Sequence, residues 1–143
     1  MKRLALLLPL LLVGTAHAAD ITPSLIATAT RWQAGERVAD PGGGVALNIR
    51  PEGGPEWGVA YVQHRVAGEA AGVLAVGPRW KAGERWHVGA SPQLVIMHGA
   101  GRTEARPALT VTGGYNGYHL DLLLTPDTKA RPPGAWLWIR TDL

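Results

Sequence analysis

The feature that most constrains this chain is a recurring segment of roughly ten residues in which apolar and polar side chains alternate, each closed by Gly, Pro, Asp or Asn. A period of two sends alternate side chains to opposite faces of a β-strand. Candidate strands run near 23–33, 43–50, 57–66, 70–79, 85–97, 106–112, 117–124 and 135–143. In the fifth, Trp86, Val88, Ala90, Pro92, Leu94 and Ile96 share one face, while His87, Gly89, Ser91 and Gln93 share the other. In the seventh, Tyr118, Leu120, Leu122 and Leu124 point away from His119 and Asp121. Nineteen glycines and 11 prolines further exclude a helix bundle.

Residues 1–18 stand outside this pattern. Lys2 and Arg3 precede the apolar run Leu4 to Val13, and Ala16-His17-Ala18 closes it, which reads as a secretory signal peptide cleaved after Ala18. The run is shorter than the ~20 residues a helical span needs. Residues 19–143 then form one domain. With Lys2 and Arg3 removed, bases and acids nearly balance and no basic face clusters, so a nucleic-acid partner is not expected. The chain has no cysteine, so an exported domain of this size must draw its stability from something other than disulfides. A closed ladder of strands meets that need.

Eight amphipathic strands close in two ways. A soluble lipocalin-like barrel turns its apolar faces inward around a ligand, and an outer-membrane barrel turns them outward to lipid. Three features favour the second. With the amino terminus in the periplasm, the connections 51–56, 80–84 and 113–116 are short periplasmic turns, and 34–42, 98–105 and 125–134 are longer outer loops. Those loops carry Arg37, Arg102, Lys129 and Arg131, placed to meet lipid phosphates. Trp32, Trp57, Trp80, Trp86, Tyr115 and Tyr118 lie near strand ends, as interfacial girdles do. The fold expected is all-β, an eight-stranded antiparallel up-and-down transmembrane barrel in a bacterial outer membrane.

Several short stretches add a resemblance: Pro41-Gly42-Gly43-Gly44, Trp57-Gly58, Trp86-His87-Val88-Gly89, Thr125-Pro126 and Trp138-Ile139-Arg140. In order and spacing they resemble the lipid A palmitoyltransferases of the PagP type, over about Pro41 to Leu143. The resemblance implies lateral lipid access through gates flanked by prolines, with Pro23 and Pro41 at one and Pro107 and Pro126 at the other. A strand proline supplies no N–H to the ladder, so the wall can part beside it. The resemblance also implies an acyl-pocket floor at Gly77. The family's catalytic His and Asp-Ser pair, however, fall on Thr28, Val66 and Ala67. Val and Ala neither carry protons nor attack esters, so the family's acyl transfer does not follow.

Other polar residues on strand faces remain catalytic candidates: His64, His87, Ser91, His119 and Asp121. His87 and Ser91 stand roughly 13 Å apart along one strand, too far for a direct nucleophile–base bond. Each candidate equally fits a hydrogen-bonded lumen residue. Arg140, between inward Trp138 and Asp142, reads as an interior ion pair that plugs the lumen. The sequence has no HExxH, Cys/His cluster, phosphate loop or GxSxG, so no metal or other cofactor is expected.

The sequence thus leaves four readings. The first is a monomeric barrel that admits acyl chains of phospholipid or lipid A but has a degenerate catalytic set. The others are an active lipid A acyltransferase using non-matching residues, a plugged structural or interaction barrel, and a soluble periplasmic binder.

Overall fold

The computed structural model describes residues 19–66, 69–99, 101–127 and 133–143. The signal segment, Ala67, Lys129 and Arg131 therefore lie outside the described residues. Eight strands follow one another: β1 (Ala19–Gln33), β2 (Glu36–Pro51), β3 (Glu56–Val66), β4 (Glu69–Ala82), β5 (Trp86–Gly99), β6 (Arg102–Tyr115), β7 (Tyr118–Thr125) and β8 (Gly134–Asp142). Each pairs antiparallel with the next and β8 closes on β1, giving an up-and-down barrel without a free edge.

The register defines the shape. From Trp86 the directly paired residues are Tyr115, Tyr118, Thr141, Leu25, Val45, Tyr61, Leu74 and finally Ile96, ten residues further along β5 than the start. That shear across eight strands tilts them by about 40°. Each residue along a strand then climbs about 2.5 Å along the barrel axis, and each step to the next strand about 3 Å.

The alternation turns outward. Leu25, Val45, Trp57, Val88, Leu94, Leu109, Val111, Leu120 and Ile139 are exposed, whereas Ser24, Asn48, His87, Thr110, Thr112, His119, Asp121 and Arg140 are buried. The soluble lipocalin-like reading needs the opposite arrangement, and the fold overturns it. On β5 the outward apolar band from Trp86 to Ile96 rises about 25 Å, the height of a bilayer's hydrocarbon layer in such barrels. Trp57, Trp80, Trp86, Tyr115 and Tyr118 ring its lower edge, at the end that holds both Asp20 and Leu143. The chain has the geometry of a transmembrane barrel.

The expected long outer loops are corrected at two places. The connection read as 34–42 is only Ala34 and Gly35, because both take positive φ (52° and 83°), the conformation a two-residue hairpin turn demands. Gly42, read as the end of that loop, lies with Gly43 and Gly44 within β2. Gly44 is where β2 closes on β3: a Cβ there would strike the Tyr61 carbonyl. Likewise 98–105 shrinks to residues 100–101 between β5 and β6, and the turn read at 113–116 is Asn116-Gly117, with φ of 48° and 85°. Only the β7–β8 connection keeps the expected length. The short-turn, long-loop asymmetry is therefore mostly absent, and orientation rests on the girdle and the termini.

Candidate functional site

The lumen is layered. Its middle is packed by Ile26, Val62, Val95, Leu123, Trp136 and Trp138 with small alanines between them. Between this layer and the ion network below lies a small cavity of about 10 Å³, room for about one water.

The terminal half of the lumen carries the polar network. Arg140 Nε donates to Asp121 Oδ2 at 2.9 Å, and its Nη1 donates to Asp142 Oδ1 at 3.0 Å. Thr112 donates to the other Asp121 oxygen at 2.6 Å, and Arg79 reaches that oxygen at 3.6 Å from β4. Arg79 also donates to Asn48 at 2.5 Å. Five strands thus share one buried carboxylate cluster, and the paired charges make such burial tolerable. The plug anticipated at Arg140 is present as an ion pair with Asp142, and Asp121 adds a second.

Asp142 also anchors a chain of rings. Its Oδ1 accepts from Ser24 at 2.7 Å, while Oδ2 lies 2.8 Å from His119 Nε2, whose Nδ1 is 2.8 Å from His87 Nε2. A carboxylate only accepts, so His119 Nε2 donates; with one proton on that ring, His119 Nδ1 accepts from His87. The rings border a cavity of about 460 Å³ at the terminal end, with Arg79, Arg140 and Trp80 also in its wall.

The candidates named from sequence therefore fall in different places. His87, His119 and Asp121 converge on this network. Ser91 is separate: it is buried and donates to the Pro78 carbonyl at 2.6 Å. His64 is buried near the opposite end of β3, opposite Gly42 and Ala71. Thr28 also faces inward, and its buried hydroxyl has no hydrogen-bond partner among the described residues. The side chain of Val66 lies outside the described residues.

The prolines divide similarly. The β6–β7 ladder ends at Leu109 and Leu124, and two residues further on Pro107 stands opposite Pro126. Arg106 donates from the lumen to the Pro126 carbonyl at 2.9 Å. Pro23 and Pro41 both lie on the β1–β2 seam but at different heights, Pro41 beside the register shift between Thr28 and Thr30. Pro23 pairs with Leu47 near the terminal end, while Pro41 lies six residues along β2 from Leu47, beyond the last β2–β3 pair at Gly42 and His64. A third proline pair was not anticipated. The β4–β5 ladder skips from Val76–Leu94 to Trp80–Ala90, leaving Pro78 opposite Pro92. Two prolines inside outward-facing strand stretches were the available signal. Gly77 faces inward beside this gap, where a Cβ would strike the Pro92 carbonyl. Arg37 and Arg102 are exposed next to hairpin turns at the end opposite the termini.

A solved outer-membrane protein shares this architecture. Neisserial surface protein A superposes with a TM-score of 0.57 over 89% of this chain and 99% of its own, at 10% sequence identity. Two structures of Ail, the attachment invasion locus protein of Yersinia pestis, are more distant. The first gives a TM-score of 0.39 at 17% identity over 87% of this chain and 97% of that one. The second, in complex with the heparin analogue sucrose octasulfate, gives 0.36 at 15% identity over 87% and 98%. At these identities the likeness is one of fold, and it rests on the first protein. No family profile and no curated protein matches the sequence. The palmitoyltransferase resemblance therefore stands on its quoted residues alone.

Proposed function

We propose that this chain is a bacterial outer-membrane barrel, exported by a signal peptide over residues 1–18, whose lumen is sealed and whose work is done at its outer surface. It serves there as a structural or interaction protein in contact with lipid. The observation that carries this reading is the cross-lumen network of Arg140, Asp121, Arg79 and Asp142 beneath Trp136 and Trp138. Ions and solutes have no described route through it. Reconstitution in a planar bilayer tests the reading: insertion without conductance is expected, and stable unitary currents would overturn it.

A second reading, acyl-chain admission at the β6–β7 seam, is favoured by the facing pair Pro107 and Pro126. Mass spectrometry of lipid A from cells with and without the chain tests its enzymatic form. An added palmitate would establish transfer by residues other than those at Thr28, Val66 and Ala67; unchanged lipid A is expected.

A further inference from the structure

On the outer wall, far from the lumen network, Tyr61 of β3 and His98 of β5 meet across β4. The Tyr61 hydroxyl is 3.1 Å from His98 Nε2, and the two rings are nearly parallel, at 10° with centroids 6.0 Å apart. Both side chains are exposed. They meet over Gly72, where a Cβ would collide with both the hydroxyl and the imidazole nitrogen. Glycine therefore makes the shallow notch in which this pair lies.

The height of the notch gives it meaning. By the tilt and register, Gly72 and His98 stand about 27–30 Å above the level of Trp86, just beyond the apolar band. Gln63 and Arg65 also point outward on β3 and stand about 24–29 Å above that level. A hydrogen-bonded Tyr–His pair would be poorly placed in hydrocarbon but is well placed among headgroups. Arg65 is exposed and has no ion-pair partner among the described residues. None of the described outward side chains of β3, β4 and β5 at this level is acidic. The patch thus offers a guanidinium, an imidazole, a hydroxyl and an amide around a glycine floor, on the half of the barrel remote from both termini.

We propose that Tyr61, His98, Gln63 and Arg65 form a binding site for the phosphorylated sugar headgroup of lipid A. The guanidinium and imidazole engage a phosphate, for which a planar fork of donors is suited. The hydroxyl and amide engage sugar hydroxyls. This deepens the outer-membrane reading above and rests on it, because it requires the end opposite the termini to face the leaflet that holds lipid A.

The test uses the folded barrel in phosphatidylcholine nanodiscs doped with bisphosphorylated or dephosphorylated lipid A, with bound lipid counted by native mass spectrometry. Retention of the phosphorylated form about tenfold above the dephosphorylated one is expected. Arg65→Ala and His98→Ala should each remove most of that preference, and Gly72→Val should do so by displacing the pair. Arg85→Ala, an exposed change at the end that holds the termini, should leave it intact, and heat-modified gel mobility confirms that each variant is folded. Equal retention of the two lipid A forms, or a preference untouched by Arg65→Ala and His98→Ala, would overturn the proposal. So would displacement of lipid A by an equal amount of phosphatidylglycerol or by inorganic phosphate, since the site would then read phosphate alone. Failure here leaves the sealed-barrel reading standing, because that reading is tested separately by conductance.

Discussion

Arg140 and Asp121 face each other inside the barrel from neighbouring strands, offset by two residues in register, with Nε 2.9 Å from Oδ2. Their side chains are 3% and 4% exposed. Neither charge is solvated, so each depends on the other and on Asp142, Thr112 and Arg79. Asp121→Ala would leave Arg79 without this carboxylate and Arg140 with Asp142 alone, and a loss of about 3–5 kcal/mol is expected. Urea unfolding in micelles, followed by tryptophan fluorescence, measures it. The double variant Asp121→Leu with Arg140→Met should lose less than the two single changes combined, because both charges of that pair leave together and only their outer partners, Arg79 and Asp142, lose a contact.

The outward face makes a depth-dependent prediction. Ile139 is 54% exposed on β8 and lies near the middle of the apolar band. Ile139→Arg should cost about 2–4 kcal/mol in a bilayer, and Leu143→Arg at the terminal edge no more than about 1 kcal/mol. Equilibrium folding into phosphatidylcholine vesicles reads the difference. Equal costs would mean that the band does not meet hydrocarbon.

The hairpin turns offer a change of opposite sign. Ala34 takes φ of 52°, a conformation that penalises a Cβ unless the side chain bonds locally, as Asn does at the equivalent Asn116 with φ of 48°. Ala34→Asn should stabilise the barrel by roughly 0.5–1 kcal/mol, and Gly117→Ala should destabilise it by a similar amount. The shift in urea midpoint checks both.

The strand count and the sorting of side chains onto two faces, with Arg140 on the polar one, were readable in the sequence because they depend on a period of two, which is local; the outward turn of the apolar face is not set by that period and was legible only through the strand-end aromatics. The stripe from Trp86 to Ile96 is one unbroken example. The loop lengths were not readable. Pro41-Gly42-Gly43-Gly44 looks like a loop by composition, yet its glycines permit the close approach of β2 to β3. The partners in the lumen were also hidden. That Arg79 on β4 reaches Asp121 on β7, or that His87 meets His119, follows from barrel closure with a ten-residue shear, a property of all eight strands at once. The Tyr61–His98 pair is illegible in the sequence for the same reason, since it spans two ladders.

The central claim is that apolar side chains of this closed sheet touch lipid while Trp136 and Trp138 do not. Fluorescence quenching by brominated phosphatidylcholine tests it directly, in variants that keep a single tryptophan. Trp80, 56% exposed, and Trp86, 73% exposed, should be quenched, whereas Trp138, 2% exposed, should be unaffected. Quenching of Trp138 with Trp80 and Trp86 untouched would contradict the account.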